Sequence, residues 1–213
     1  MIRRLIGRGG AAGVALAAAT ALLLPQSAWA LTLYSEGFEA GALTWSRSGA
    51  QTVDCTVAHT GYCSLKNEPT TTGTYEHATG TVAVPLTNRF TAVEFWFSNA
   101  STGGDWDSAF TVTLDCGSIE YNTTEGINNG VSLHSSHGSS QWGFASWSAN
   151  TWHRGTLVFD SLTKTVSASL NGGSTVSTSY CSTATRISAV GTYVVGWSGY
   201  GSTIWYDDVS ITT

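Results

Sequence analysis

From about residue 32 onward the chain alternates apolar and hydroxyl-bearing residues in short runs, and Gly, Asn, Ser or Asp interrupts each run. The clearest case is 164–170, where Val166, Ala168 and Leu170 alternate with Thr165, Ser167 and Ser169. A period of two gives a strand one apolar and one polar face. Asn171, Gly172 and Gly173 then turn the chain. Helical periodicity is absent from this part of the sequence. Runs rich in β-branched and aromatic residues predict strands at 32–38, 43–47, 62–66, 74–84, 90–98, 108–115, 118–122, 130–134, 141–147, 152–159, 164–170, 175–180, 187–197 and 203–211. Strands this short and closely spaced, with almost no Pro, predict an all-β protein: an antiparallel two-sheet β-sandwich. No repeat, linker or low-complexity block divides the run, so 31–213 reads as a single domain.

The first thirty residues have a different pattern. Arg3, Arg4 and Arg8 precede an apolar run from Ala11 to Leu24, and Ala28-Trp29-Ala30 places small residues where a signal peptidase reads. The run is short for a membrane span and no second one follows. Residues 1–30 are therefore expected to be a cleaved export signal and the protein to be secreted, extracellular or periplasmic. The Arg3-Arg4 pair also suits a twin-arginine route.

Removing that segment changes the charge. It holds three of the nine basic residues and none of the fourteen acidic ones, so 31–213 carries a net charge of −8. Such a balance argues against nucleic acid or an anionic membrane as partner. Cys55, Cys63, Cys116 and Cys181 form an even set in an exported chain with no Cys-x-x-Cys spacing, which favours disulfides over a metal site. Of the three connectivities, Cys55–Cys63 with Cys116–Cys181 is the simplest.

Several strings resemble known families. SEGFEAGALTW at 35–45, AHTGYCSLK at 58–66 and IWYDDVSI at 204–211 are similar to jelly-roll carbohydrate-binding modules. FTAVEFWFS at 90–98 and the hairpin at 152–172 resemble the concanavalin A-like lectin/glucanase superfamily, including laminin-G-like domains. The resemblance implies a jelly roll of the concanavalin A-like type. It also implies a structural Ca²⁺ where the first and last strands adjoin, with Glu39 and Asp207 as matching ligands, and hard oxygen donors suit that ion. Simple alternation places Asp207 on one face of its strand with Trp205, Val209 and Ile211, so it needs a partner there.

Eight tryptophans and eight tyrosines follow residue 30. Flat aromatic faces pack on the apolar faces of pyranose rings, while neighbouring acids and amides fix hydroxyls. Trp106 lies in a Gly/Asp loop between Asp105 and Asp107, and Trp142, Trp147, Trp197 and Tyr200 lie in Gly/Ser-rich stretches. Asp105, Trp106, Asp107, Trp142, Trp197 and Tyr200 are the candidate sugar-binding set. Trp45, Trp96, Trp152 and Trp205 are expected in the core.

Catalysis on a glycan would need converging groups. The Glu-x-Asp-x-x-Glu string of the superfamily's β-glucanases is absent, which leaves Glu76, Glu94 and Glu120 as candidates from separate strands. Sandwich polysaccharide lyases pair a His or Tyr with Arg and Gln; their Gln-Ile/Val-His string is missing, although Tyr75-Glu76-His77 and Arg89 supply the residue types. No Gly-x-Ser-x-Gly elbow occurs. His134 and His137 read as a solvated loop. The expected function is non-catalytic recognition of a polysaccharide or cell-surface glycan. The alternatives are a glycoside hydrolase or lyase on the same fold, and a structural or adhesive surface domain.

Overall fold

A computed structural model describes residues 30–49, 51–70, 73–101, 106–124, 130–196 and 203–213, with Trp106 described by its backbone alone. The expected export signal, apart from Ala30, lies outside the described residues, as do Asp105, Trp197 and Tyr200. The described residues form fifteen strands and no helix. They are β1 (Thr32–Glu36), β2 (Ser46–Ser48), β3 (Thr52–Asp54), β4 (Ser64–Asn67), β5 (Glu76–Pro85), β6 (Phe90–Asn99), β7 (Trp106–Leu114), β8 (Gly117–Thr124), β9 (Gly130–Ser135), β10 (Gln141–Ser146), β11 (His153–Asp160), β12 (Thr165–Leu170), β13 (Thr175–Ser179), β14 (Arg186–Gly196) and β15 (Ile204–Thr212). Each of the fourteen predicted strands overlaps one of these. The three-residue β3 escaped the sequence pattern.

Two antiparallel sheets face each other. Sheet A runs β13-β12-β11-β6-β15-β4-β3, with β1 also paired to β15, and sheet B runs β10-β9-β8-β7-β14-β5-β2. The period-two pattern explains the sandwich. In β11, His153, Gly155, Leu157 and Phe159 are buried while the residues between them are half-exposed, so each strand sends one apolar row inward. Phe95 of β6 stacks on Phe110 of β7 with ring centroids 4.0 Å apart. It also meets Tyr121 of β8 edge-on at 5.1 Å, so both sheets are locked through one ring. Two disulfides, Cys55–Cys63 and Cys116–Cys181, add cross-links. The second joins the β7–β8 turn of sheet B to the segment after β13 at the edge of sheet A.

Strand β15 departs from simple alternation. Along one edge it pairs with β4 over Ile204–Tyr206 and with β1 from Val209 onward. Between them the register slips, and Asp208 has φ of 47°. This β-bulge inserts one residue and reverses the faces. Trp205 therefore points outward, donating its Nε1–H to Asp54 at 2.9 Å, while Val209 and Ile211 are buried. The expectation that Trp205 shares a face with Val209 is corrected by that extra residue. Trp96 and Trp152 are also half-exposed on the outside of sheet A, whereas Trp45 is in the core as expected. Trp147 is buried too, its Nε1–H bonded to the carbonyl of Thr123.

Candidate functional site

The outer face of sheet B gathers chemistry that the linear sequence scatters. Antiparallel register sets outward residues of neighbouring strands side by side. One row runs Thr79, Gly191, Thr111, Glu120 and His134 across β5, β14, β7, β8 and β9. The adjacent row runs His77, Tyr193, Ala109, Asn122 and Ser132 on the same strands.

The side chains make a groove of these rows. A hollow of about 510 Å³ opens over Tyr75, His77, Thr79, Thr111, Glu120 and Tyr193. A second, of about 240 Å³, lies over Ser118, His134, Ser136 and Ser140 and shares Glu120 with the first. Gly191 keeps the floor low. A Cβ there would sit 2.6 Å from the Ala78 carbonyl and 3.1 and 3.2 Å from the Thr111 and Thr79 hydroxyls. A glycine in a strand interior commonly marks such a close approach.

Aromatic rings bound both ends. Tyr75 meets Tyr193 edge-on at 5.5 Å, and Tyr75 is 54% exposed. At the other end Trp142, 65% exposed, stands nearly perpendicular to His134 with centroids 4.5 Å apart. The polar groups are held in place: Ser48 Oγ lies 2.9 Å from His77 Nδ1, Ser140 Oγ 2.8 Å from His134 Nδ1, and the Tyr193 hydroxyl donates to Asn122 Oδ1 at 3.3 Å. Burial, followed by the charges of Glu120 and Asp107, pushes the Tyr193 phenol well above the usual tyrosine range. Tyr193 therefore remains a neutral hydroxyl at physiological pH.

Of the candidate sugar-binding residues, Trp142 and Asp107 fall on this face, Asp107 on the same side as Tyr193. Tyr193 joins them without having been selected from the sequence, and Tyr75 and His77, singled out there only as residue types a lyase would use, join them as well. The signal available was the polar alternation of His77, Thr79 and Thr81 and the glycine inside 187–197.

The three candidate catalytic acids do not converge. Glu76 is buried at the end of β5, accepting the Thr70 backbone N–H and hydroxyl. Glu94 lies on the outside of sheet A, 3.4 Å from the Thr156 hydroxyl and 3.9 Å from Arg154. Only Glu120 lines the sheet B groove. Asp107, the companion acid on that face among the described residues, is offset four residues along β7 from Glu120's partner Thr111, roughly 13 Å of strand.

Glu39 and Asp207 do come together around one loop. Asp207 is fully buried and accepts the backbone N–H of His59 at 2.8 Å, of Thr60 at 3.3 Å and of Asp208 at 2.8 Å. Glu39 accepts the N–H of Tyr62 at 2.9 Å and of Cys63 at 3.2 Å. Asp208 completes the clasp with Nδ1 of His59 at 2.7 Å and the Thr60 hydroxyl at 2.7 Å. The groups directed at Glu39 and Asp207 are amide donors rather than the carbonyl oxygens a cation takes. Among the described residues no group of three or more His, Cys, Asp or Glu is arranged to hold a metal.

No family model matches the chain, and no curated protein matches it in sequence. Its structure is similar to that of a cellulose-induced protein at 17% identity, covering 84% of this chain and 96% of that one with a TM-score of 0.61. It is similar to an endo-β-1,4-glucuronan lyase from Trichoderma reesei at 13% identity, covering 86% and 96%, TM-score 0.57. Lectin II from Ulex europaeus matches at 14% identity over 85% and 99%, TM-score 0.56. These likenesses agree with the architecture described above: an antiparallel two-sheet jelly-roll β-sandwich.

Proposed function

We propose that the protein is an exported glycan-binding domain whose sugar site is the groove across the outer face of sheet B. The observation that carries this reading is the polar floor of Thr79, Gly191, Thr111 and Glu120 lying between aromatic groups at Tyr75/Tyr193 and at Trp142. Rings at both ends and hydroxyl partners between them suit a saccharide chain. A lectin among the structural neighbours agrees with it, as fold-level analogy. The two disulfides suit an oxidising compartment, and no described helix is long and apolar enough to cross a membrane.

The test is retention of the purified protein on insoluble polysaccharides and on a glycan array, with the supernatant assayed for released sugar. Retention without products supports binding; Tyr193→Ala should abolish it.

A lyase reading has one specific support. His77 and Tyr193 are direct cross-strand neighbours with Asn122 beside the phenol, the residue types that proton abstraction and donation would use. Unsaturated products in the same supernatant would establish it in place of binding alone.

A structural Ca²⁺ held by Glu39 and Asp207 is proposed on the family resemblance. EDTA lowering Tm, with recovery on adding Ca²⁺, would support it. An unchanged Tm would leave the loop clasp to the amides.

A further inference from the structure

We infer that the sheet B groove takes an uncharged polysaccharide chain, about five sugar units long and laid across the strands, and that it disfavours polymers of uronic acid. This rests on the groove being the glycan site.

Charge is the first argument. Glu120 lines both hollows, and Asp107 lies close enough to Tyr193 to act on its phenol. Neither hollow is lined by Lys or Arg. The six basic residues after residue 30 are Arg47, Lys66, Arg89, Arg154, Lys164 and Arg186. Arg47 donates to the Gln51 carbonyl, Lys66 pairs with Glu68, Arg154 lies beside Glu94 on sheet A, and Lys164 donates to the Ala184 carbonyl. Arg89 sits over Phe90 at 4.9 Å, and Arg186 begins β14, five residues from Gly191. The connecting segments 102–105, 125–129 and 197–202 contain no Lys or Arg. A uronate chain carries a carboxylate on every unit. It would meet acids with no Lys or Arg to compensate them, and like charges in a partly desolvated groove repel.

Length follows from the register. The row from Thr79 to His134 crosses five strands, and Trp142 on β10 adds a sixth. Five strand-to-strand steps of about 4.8 Å span about 24 Å, and a pyranose unit advances by about one such step. Trp142 then sits under one end, and Tyr193, two residues along β14 from Gly191, flanks the row near the other. Thr79, Thr111, Glu120 and His134 lie under the middle, where they can meet hydroxyls.

Calorimetric titration of the purified full-length protein tests both parts. The probes are gluco-, manno- and xylo-oligosaccharides of two to seven units, and hexameric oligouronates at low and high salt. At least one neutral series should gain affinity up to about five units and then level off, with little salt dependence. Oligouronates should bind at least tenfold more weakly at low salt and gain as salt screens the acids. Trp142→Ala should shorten the plateau by one or two units, and Glu120→Gln should narrow the gap between neutral and uronate ligands. Tighter uronate than neutral binding at low salt would overturn the inference while leaving a glycan site. Saturation at one or two units, or an unchanged plateau in Trp142→Ala, would overturn the extended-chain part. Absence of binding by every probe, with the array also blank, would remove the groove reading itself.

Discussion

Asp207 and Asp208 are neighbours in the chain and hold the same residue from two directions. Asp207 accepts the backbone N–H of His59, and Asp208 meets that residue's imidazole at 2.7 Å. The bulge with φ of 47° at Asp208 makes this possible, because it turns consecutive side chains to different sides of one loop. His59 is thereby laid flat on Trp96, with ring centroids 3.7 Å apart and planes 15° from parallel. A non-glycine residue at positive φ inside a strand is strained by about 1–3 kcal/mol, which the bonds to the 59–63 loop offset.

The clasp depends on Gly61. Its φ is +64°, and a Cβ there would lie 2.3 Å from Oε1 of Glu39. Gly61→Ala should lower stability by about 1–3 kcal/mol. Urea denaturation should show a lower midpoint at an unchanged slope.

Asp207 should give stability an unusual acid dependence. Burial raises its carboxyl from 3.8 to about 6 in the folded protein. The folded state therefore binds more protons between roughly pH 4 and 6, and stability falls as pH rises through 6. Exposed Asp115 and half-exposed Asp160 are shifted the other way, Asp115 by the Thr185 hydroxyl and backbone N–H and Asp160 by the backbone N–H groups of Leu162 and Thr163, which outweigh its partial burial. Their contribution is therefore lost only as pH drops below the ordinary carboxylate range. Between pH 4.5 and 7.5, an interval of about three units chosen around the Asp207 value, wild type should lose stability relative to Asp207→Asn. Parallel pH profiles of Tm for the two proteins would show no such divergence if the shift is absent.

The two disulfides should differ in weight. Chain entropy assigns about 4 kcal/mol to a cross-link closing a loop as long as Cys116–Cys181 and about 2.5 kcal/mol to one as short as Cys55–Cys63. The sequence separations are 65 and 8 residues. The Cys116→Ser/Cys181→Ser double variant should melt lower than the Cys55→Ser/Cys63→Ser variant, as differential scanning calorimetry would read directly.

Tyr193→Phe separates binding from folding. The phenol bonds Asn122 Oδ1 at a long 3.3 Å, so its loss should change stability by about 1 kcal/mol or less. Retention on the preferred glycan should fall several-fold. Equal retention by the variant would place the site away from this groove.

The strands were legible because alternation is local. Val166, Ala168 and Leu170 are buried as their spacing predicts. The outward placement of Trp96, Trp152 and Trp205 was not legible, since it depends on His59 and Asp54, which reach them from distant segments. The bulge in β15 was hidden for the same reason: Asp207 and Asp208 lie where β4 ends and β1 begins, a fact of topology. Glu120 and His134 each look unremarkable in sequence, and only the β8–β9 register makes them opposite partners. Trp142 was legible as a site candidate because Gly and Ser surround it, whereas Tyr193 sits in a strand that looks like core.

The pairing of β1 with β15 also has a kinetic meaning. Thr32 lies opposite Thr212, and β15 is the central strand that β6, β4 and β1 all border. Among the described strands β15 comes last in the chain, so sheet A cannot close until the other strands and β15 itself have been made. Pairings this remote in sequence give high contact order and slow folding, on the millisecond-to-second scale. A nascent chain that cannot complete its central sheet early stays open for longer during synthesis.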